Sequence, residues 1–308
     1  MTIKAFAMQH PILTYYALAF AISWGAILVL VGPGGFLATT STSPSFALVG
    51  FTSLLGPSVA GVLLTGFLDG RAGWRDLLAR VRRWRVGVRW YAVALLTAPL
   101  VTILTLLALS LTSPAFVPAI VTAQDKASLL LSGIAVGLIV PVFEELGWTG
   151  FATPRLRLGH GVLGTGLFMG LLWGAWHLPI FAGSAASSGS IPPALFMVVM
   201  LFSWLPPYRV LMVWVYDRTQ SVLVAMLMHM PIVVSQFVLT PEALSGEAMF
   251  ASLIATGVAL WLVVGAVALA NGGRITRDQG LAAAPEGMAA WEHPRVAGSS
   301  PAPSPRGG

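Results

Sequence analysis

From residue 90 to 111 the chain reads WYAVALLTAPLVTILTLLALSL, an apolar run without a single charge. A helix of about 20 such residues crosses the hydrocarbon core of a bilayer. A single irregular segment or lone strand cannot, because lipid offers no partner for open N–H and C=O groups, whereas a helix closes its own. Similar runs recur at 12–31, 46–68, from near Ser128 onward, and at 161–181, 194–216, 221–239 and 248–270. The sequence therefore predicts an all-α, polytopic membrane helical bundle of about eight transmembrane helices. Pro57, Pro99, Pro141 and Pro206–Pro207 fall inside these runs, where they are expected to kink a helix rather than end it.

Charged residues are 9% of the chain, and the mean hydropathy is +0.83. A soluble domain carries about 25% charge, and one of this length would still expose a large surface that needs it. There are no cysteines, which excludes disulfides, iron–sulfur clusters and thiolate catalysis. The first apolar run is long enough to span and is followed by no small-residue processing site, so no cleaved signal segment is expected.

The net charge of +6 is unevenly spread: seven arginines lie between Arg71 and Arg89. Arg155 and Arg157, then Arg218, then Arg274 and Arg277 mark the other basic connections, while 32–45 and 182–190 carry no basic residue and 112–127 only one lysine. Basic loops stay on the cytoplasmic side, which predicts a multi-pass protein of the cell membrane with both termini cytoplasmic. The arginine cluster sits between two apolar spans, so it suits an anionic membrane surface rather than nucleic acid. Within it, 74–84 reads WRDLLARVRRW. This is either an interfacial helix with Leu77, Leu78 and Val81 turned to lipid or a basic loop that sets topology. The helical domain covers 1–270, and the Gly/Ala/Pro/Ser-rich segment 271–308 is expected to be a disordered cytoplasmic tail.

Ionisable groups inside spans are costly and call for an explanation. Glu144 and Glu145 follow LIVPVF, 11 residues before Arg155. If the helix runs on to Arg155, Glu144 lies about 16 Å from the cytoplasmic edge. His177 ends GLFMGLLWGAWHLP with Trp173 one turn earlier, and His229 is deep in SVLVAMLMHMPIVV. Arg209 either snorkels to the surface or pairs with Glu144 or Glu145. Two carboxylates and two imidazoles on three spans make a hydrolytic set. The same side chains can hold a divalent metal, although HExxH is absent.

These residues resemble the motifs of the CAAX prenyl protease and bacteriocin-processing family of intramembrane peptidases. A paired-glutamate motif reads EELGWT from Glu144 to Thr149, an aromatic-xxx-His motif reads WGAWH from Trp173 to His177, and a His-xxx-Asn motif reads HMPIV from His229 to Val233. The resemblance is densest over about 128–239. It implies an intramembrane endopeptidase acting on a membrane-tethered protein or peptide, with Glu144 activating water, His177 positioning it and His229 stabilising the tetrahedral intermediate. Glu145, Trp173 and Arg209 would be supporting residues. No cofactor is required in this reading; a metal, if used, would sit on Glu144, His177 and His229. Thr149 replaces the motif's arginine and Val233 its asparagine. Arg209, deep in its span, is the candidate to stand in for the first; loss of the second implies an activity that is low, that needs another donor such as Gln236, or that is absent. A non-catalytic immunity or partner-binding protein on the same scaffold is the main alternative. A transporter is a weaker one, since the two halves show no matched pair of broken helices.

Overall fold

The computed structural model describes residues 2–40, 43–241, 244–273 and 275. A short α1 (Ile3–Gln9) leads into α2 (Pro11–Gly35), with Pro11 at the first helical position, where no N–H is needed. Next come α3 (Phe46–Ser53), α4 (Leu55–Val81), α5 (Val88–Ser110) and the single turn α6 (Ala119–Thr122). Then α7 (Lys126–Gly147) passes through a π turn, Trp148–Ala152, into α8 (Thr153–Leu156). The chain ends with α9 (Val162–Trp176), α10 (Leu178–Phe181), α11 (Pro193–Phe202), α12 (Leu205–Thr219), α13 (Val222–Val238) and α14 (Gly246–Ala270). No strand occurs among the described residues.

The all-α membrane architecture expected from the apolar runs is what forms. Among the described residues six helical stretches are long and apolar enough to cross a membrane, and α9 with the segment after it makes a seventh if its 49° bend lies within one span. The eighth expected run is α13, apolar but 17 residues long, and packed against α7 and α5. The helix bearing the glutamates does continue past them, reaching Leu156. Pro99 and Pro141 lie inside helices as expected, but Pro206–Pro207 do not kink one. The chain breaks at Ser203–Trp204, and the two prolines open α12, where their missing N–H groups cost nothing. Trp204 closes the gap by donating its indole N–H to the Met200 carbonyl at 3.0 Å.

Almost every residue of α12 is buried, so it is the central post of the bundle. It can sit there because α9 offers Gly166, Gly170 and Gly174 on one face, four residues apart. A Cβ on Gly166 or Gly170 would lie 2.5 Å from the Cα of Val210 or Pro206. Small residues at such crossings let backbones touch without a side chain between them. The same device joins α7 to α4: a Cβ on Gly147 would meet the Pro57 carbonyl oxygen at 2.1 Å.

The 74–84 segment is helical as far as Val81, but it does not turn all its apolar residues to lipid. At Gly70 the backbone takes φ +62, which glycine adopts freely, and the helix direction changes sharply. Leu78 is exposed, whereas Leu77 is buried against Gly150. Arg80 is buried too, donating to the Gly150 carbonyl at 2.9 Å and to the Tyr216 hydroxyl at 3.0 Å. Beyond Ile275 the segment expected to be a disordered tail lies outside the described residues.

Candidate active site

Glu144 and Glu145 lie in the last turn of α7 and are adjacent, so the helical step of about 100° sends their carboxylates in different directions. Both are buried. Glu145 turns toward α12 and α13. Its Oε2 accepts from Arg209 Nη1 at 2.9 Å, and its Oε1 accepts from Arg209 Nη2 at 3.1 Å and from His229 Nδ1 at 2.8 Å. Thr149, one turn on, also donates its hydroxyl to Oε2. Two oxygens taking four hydrogen bonds leave this carboxylate no free lone pair.

Glu144 turns toward α9. Its Oε2 accepts the indole N–H of Trp173 at 2.7 Å and that of Trp148 at 3.2 Å. Its Oε1 has no hydrogen-bond partner among the described residues, and neither has Nε2 of His177 or of His229. None of these three belongs to the sealed, unpartnered polar atoms, a set that does include Tyr15 Oη, Tyr16 Oη and Arg209 Nε.

Trp173 holds the cluster together. Arg209 lies over its ring at 4.2 Å, a cation–π contact in a dry setting. His229 meets that ring edge-on at 5.2 Å and His177 meets it at 5.5 Å. His177 follows the last residue of α9. Its Nδ1 lies 2.8 Å from the Trp173 carbonyl, and its ring stacks on Phe181 at 5.4 Å. With Nδ1–H on a carbonyl, the neutral ring keeps a lone pair on Nε2.

Of the six residues singled out in the sequence, Glu144, His177, Arg209 and His229 thus stand around the indole of Trp173, and Glu145 joins them through Arg209 and His229. Arg209 does not snorkel, and it pairs with Glu145 rather than Glu144. Gln236 is exposed and accepts from Thr240 at 3.4 Å, so it offers no donor to the cluster. Among the described residues no three His, Asp or Glu side chains gather to hold a metal ion. Nδ1 of His229 is taken by Glu145, and one oxygen of Glu144 is filled by two indoles. The Glu144–His177–His229 set is thus not gathered as a ligand triad among the described residues.

The surroundings were not legible beforehand. Tyr16 stacks on Trp148 and Tyr15 meets it edge-on, each at 5.5 Å, bringing α2 against the glutamate turn. Tyr208 donates to the Met228 carbonyl at 2.5 Å, next to His229. Trp176 donates to Ser23 Oγ at 2.9 Å, which donates on to the Ser53 carbonyl at 2.5 Å, fixing the end of α9. The only prior signal was a pair of tyrosines inside the first apolar run.

Fold and site together define a multi-pass membrane protein built around a buried glutamate–histidine–arginine cluster. Residues 126–234, which contain both glutamates and both histidines, match the family described as Type II CAAX prenyl endopeptidase Rce1-like. Over 264 residues the chain is 24% identical to CAAX prenyl protease 2 of Methanococcus maripaludis, an alignment covering 83% of this chain and 92% of that protein. The resemblance read from the three motifs therefore holds over the stretch that carries them, and the chain is similar to CAAX-protease-like membrane endopeptidases.

Proposed function

We propose that the chain hydrolyses a peptide bond in a membrane-tethered protein or peptide, using water activated at Glu144. The supporting observation is the asymmetry of the two carboxylates. Glu145 is saturated by Arg209, His229 and Thr149, while Glu144 keeps Oε1 unpartnered in the same cluster as the Nε2 atoms of His177 and His229. A water between Glu144 Oε1 and His177 Nε2 gives its proton to Glu144 as its oxygen attacks the carbonyl carbon. The oxyanion so formed accepts a hydrogen bond from Nε2–H of protonated His229, whose Nδ1–H stays on Glu145. Collapse breaks the C–N bond, and Glu144 returns the proton to the departing amine. Positioned acid–base groups of this kind are worth about 10²–10⁴ in rate. The two indole N–H groups on Oε2 hold the Glu144 carboxylate in place, which orients Oε1 before substrate arrives.

The test uses purified protein in lipid with a panel of membrane-tethered peptide reporters, run in ¹⁸O-water. Cleavage with label in the new carboxyl group is expected from the parent chain, and at least a hundredfold less from Glu144→Gln and His229→Ala with helical content unchanged. Undiminished cleavage by Glu144→Gln overturns the proposal. Val233 and the outward Gln236 favour one second reading, a non-catalytic scaffold. That reading is indicated if reporters bind to the parent chain but none is cut.

A further inference from the structure

Away from the cluster, α1, α2 and α4 enclose an apolar groove of about 690 Å³, walled by Ile3, Leu18, Leu63 and Phe67. Its size is that of a ligand pocket, roughly 300–1,000 Å³. At one end it reaches Arg71 and Trp74, which also border a smaller hollow of about 240 Å³ with Arg75 and Leu78. We infer that this groove is a binding site for an anionic phospholipid, with an acyl chain along the apolar walls and the phosphate held between Arg71 and Arg75.

The site is built rather than incidental. The turn at Gly70 brings Trp74 back on the helix that precedes it. Its indole N–H donates to the Val62 carbonyl at 3.1 Å, twelve residues earlier, a separation that a straight helix would stretch to about 18 Å. The ring lies over Gly66, where a Cβ would sit 2.6 Å from it. This fixes the two arginines at the mouth of the groove. Neither is neutralised by the acids of its own segment. Asp69 is paired with Arg155, and Asp76 with Arg80 at 2.8 Å. Among the described residues Arg71 and Arg75 have no ion-pair or hydrogen-bond partner, and both are exposed. An apolar slot ending in unpaired guanidinium groups beside a tryptophan matches a lipid's chain, phosphate and interfacial region in turn. A free phosphate ion would use only the arginines. Nothing in this inference depends on the catalytic reading.

The experiment extracts the full-length protein from bilayers of equal phosphatidylglycerol and phosphatidylcholine and weighs the retained lipid by native mass spectrometry. Phosphatidylglycerol is expected to be kept over phosphatidylcholine by about tenfold or more, since each basic residue near the surface favours anionic lipid by about a factor of five. Arg71→Gln with Arg75→Gln should bring the ratio close to one. Arg82→Gln with Arg85→Gln, on the same basic segment, should leave it unchanged. Leu63→Trp, which fills the groove, should lower retention of phosphatidylglycerol with both arginines present. The inference is overturned if the parent chain shows no preference, if both arginine pairs matter equally, if Leu63→Trp changes nothing, or if soluble glycerol phosphate displaces the lipid. Because that last competition uses the parent chain, it decides the matter even where a variant fails to fold.

Discussion

Arg209 holds both carboxylate oxygens of Glu145, at 2.9 and 3.1 Å, where neither side chain meets solvent. Removing one member of such a pair strands the other charge, at a cost of about 3–5 kcal/mol. Arg209→Gln is therefore expected to lower the thermal unfolding midpoint sharply in a fixed detergent. Arg209→Lys should recover only part of the loss, because an ammonium cannot reach both oxygens as the planar fork does. The double variant Arg209→Gln with Glu145→Gln should be less destabilised than the two single effects summed. Strict additivity would mean the pair is not coupled.

Trp173 carries two separable jobs, and phenylalanine separates them. Trp173→Phe keeps a ring beneath Arg209 and beside His229 but deletes the N–H that reaches Glu144 at 2.7 Å. Hydrogen bonds to charged groups contribute about 1.5–3 kcal/mol, so reporter cleavage should fall by roughly tenfold to a hundredfold, with a smaller effect on the unfolding midpoint. Trp148→Phe removes the longer bond at 3.2 Å and should cost less. Equal losses in both variants would show that indole volume, not the hydrogen bond, is what matters.

The helices were legible because apolar runs of spanning length have few other fates, and the cluster was legible because charge in such runs is costly. Glu144, Glu145, His177, Arg209 and His229 stood out for that reason alone. What the sequence hid depends on register. The π turn at Trp148–Ala152 follows directly on the glutamates. It changes which faces the next residues occupy, so the contacts of Trp148 and Thr149 could not be read from a 3.6-residue period. Thr149 also looked like the loss of an arginine; in the structure its hydroxyl and the Arg209 fork share one oxygen of Glu145. The burial of Leu77 and Arg80 was hidden because sequence shows that a segment is amphipathic but not which neighbour, here Gly150, covers its face.

The crossing of α9 and α12 makes a packing prediction with a built-in control. A Cβ on Gly170 would lie 2.5 Å from Pro206 Cα, a backbone atom that cannot swing aside. Gly170→Ala should force α12 outward and destabilise by about 1–3 kcal/mol. Since α12 carries Arg209, reporter cleavage should drop with stability. Gly25, in α2, has nothing within 4 Å of its Cβ position. Gly25→Ala should be neutral or slightly stabilising, alanine being the better helix former by about 1 kcal/mol. Equal unfolding midpoints for the two variants would contradict the close crossing.

Val233 offers a prediction in the opposite direction, a gain. It lies four residues after His229 on α13, hence on the same face, and is half-buried. The family motif has an asparagine there, and here no nearby side chain supplies the missing amide, since Gln236 points outward. If the oxyanion forms beside His229 Nε2, Val233→Asn adds a second donor to it. One oxyanion donor is worth about 2.7–4 kcal/mol in a preorganised site, but a new amide without its supporting contacts will be less well placed. Turnover should therefore rise by about tenfold rather than a thousandfold, with KM little changed because the bond is made to the transition state. Stability should fall by about 1–3 kcal/mol, the cost of burying an amide that is unpaired between turnovers. Loss of stability with no rise in turnover would place the developing charge away from His229 and assign that imidazole to holding Glu145 alone.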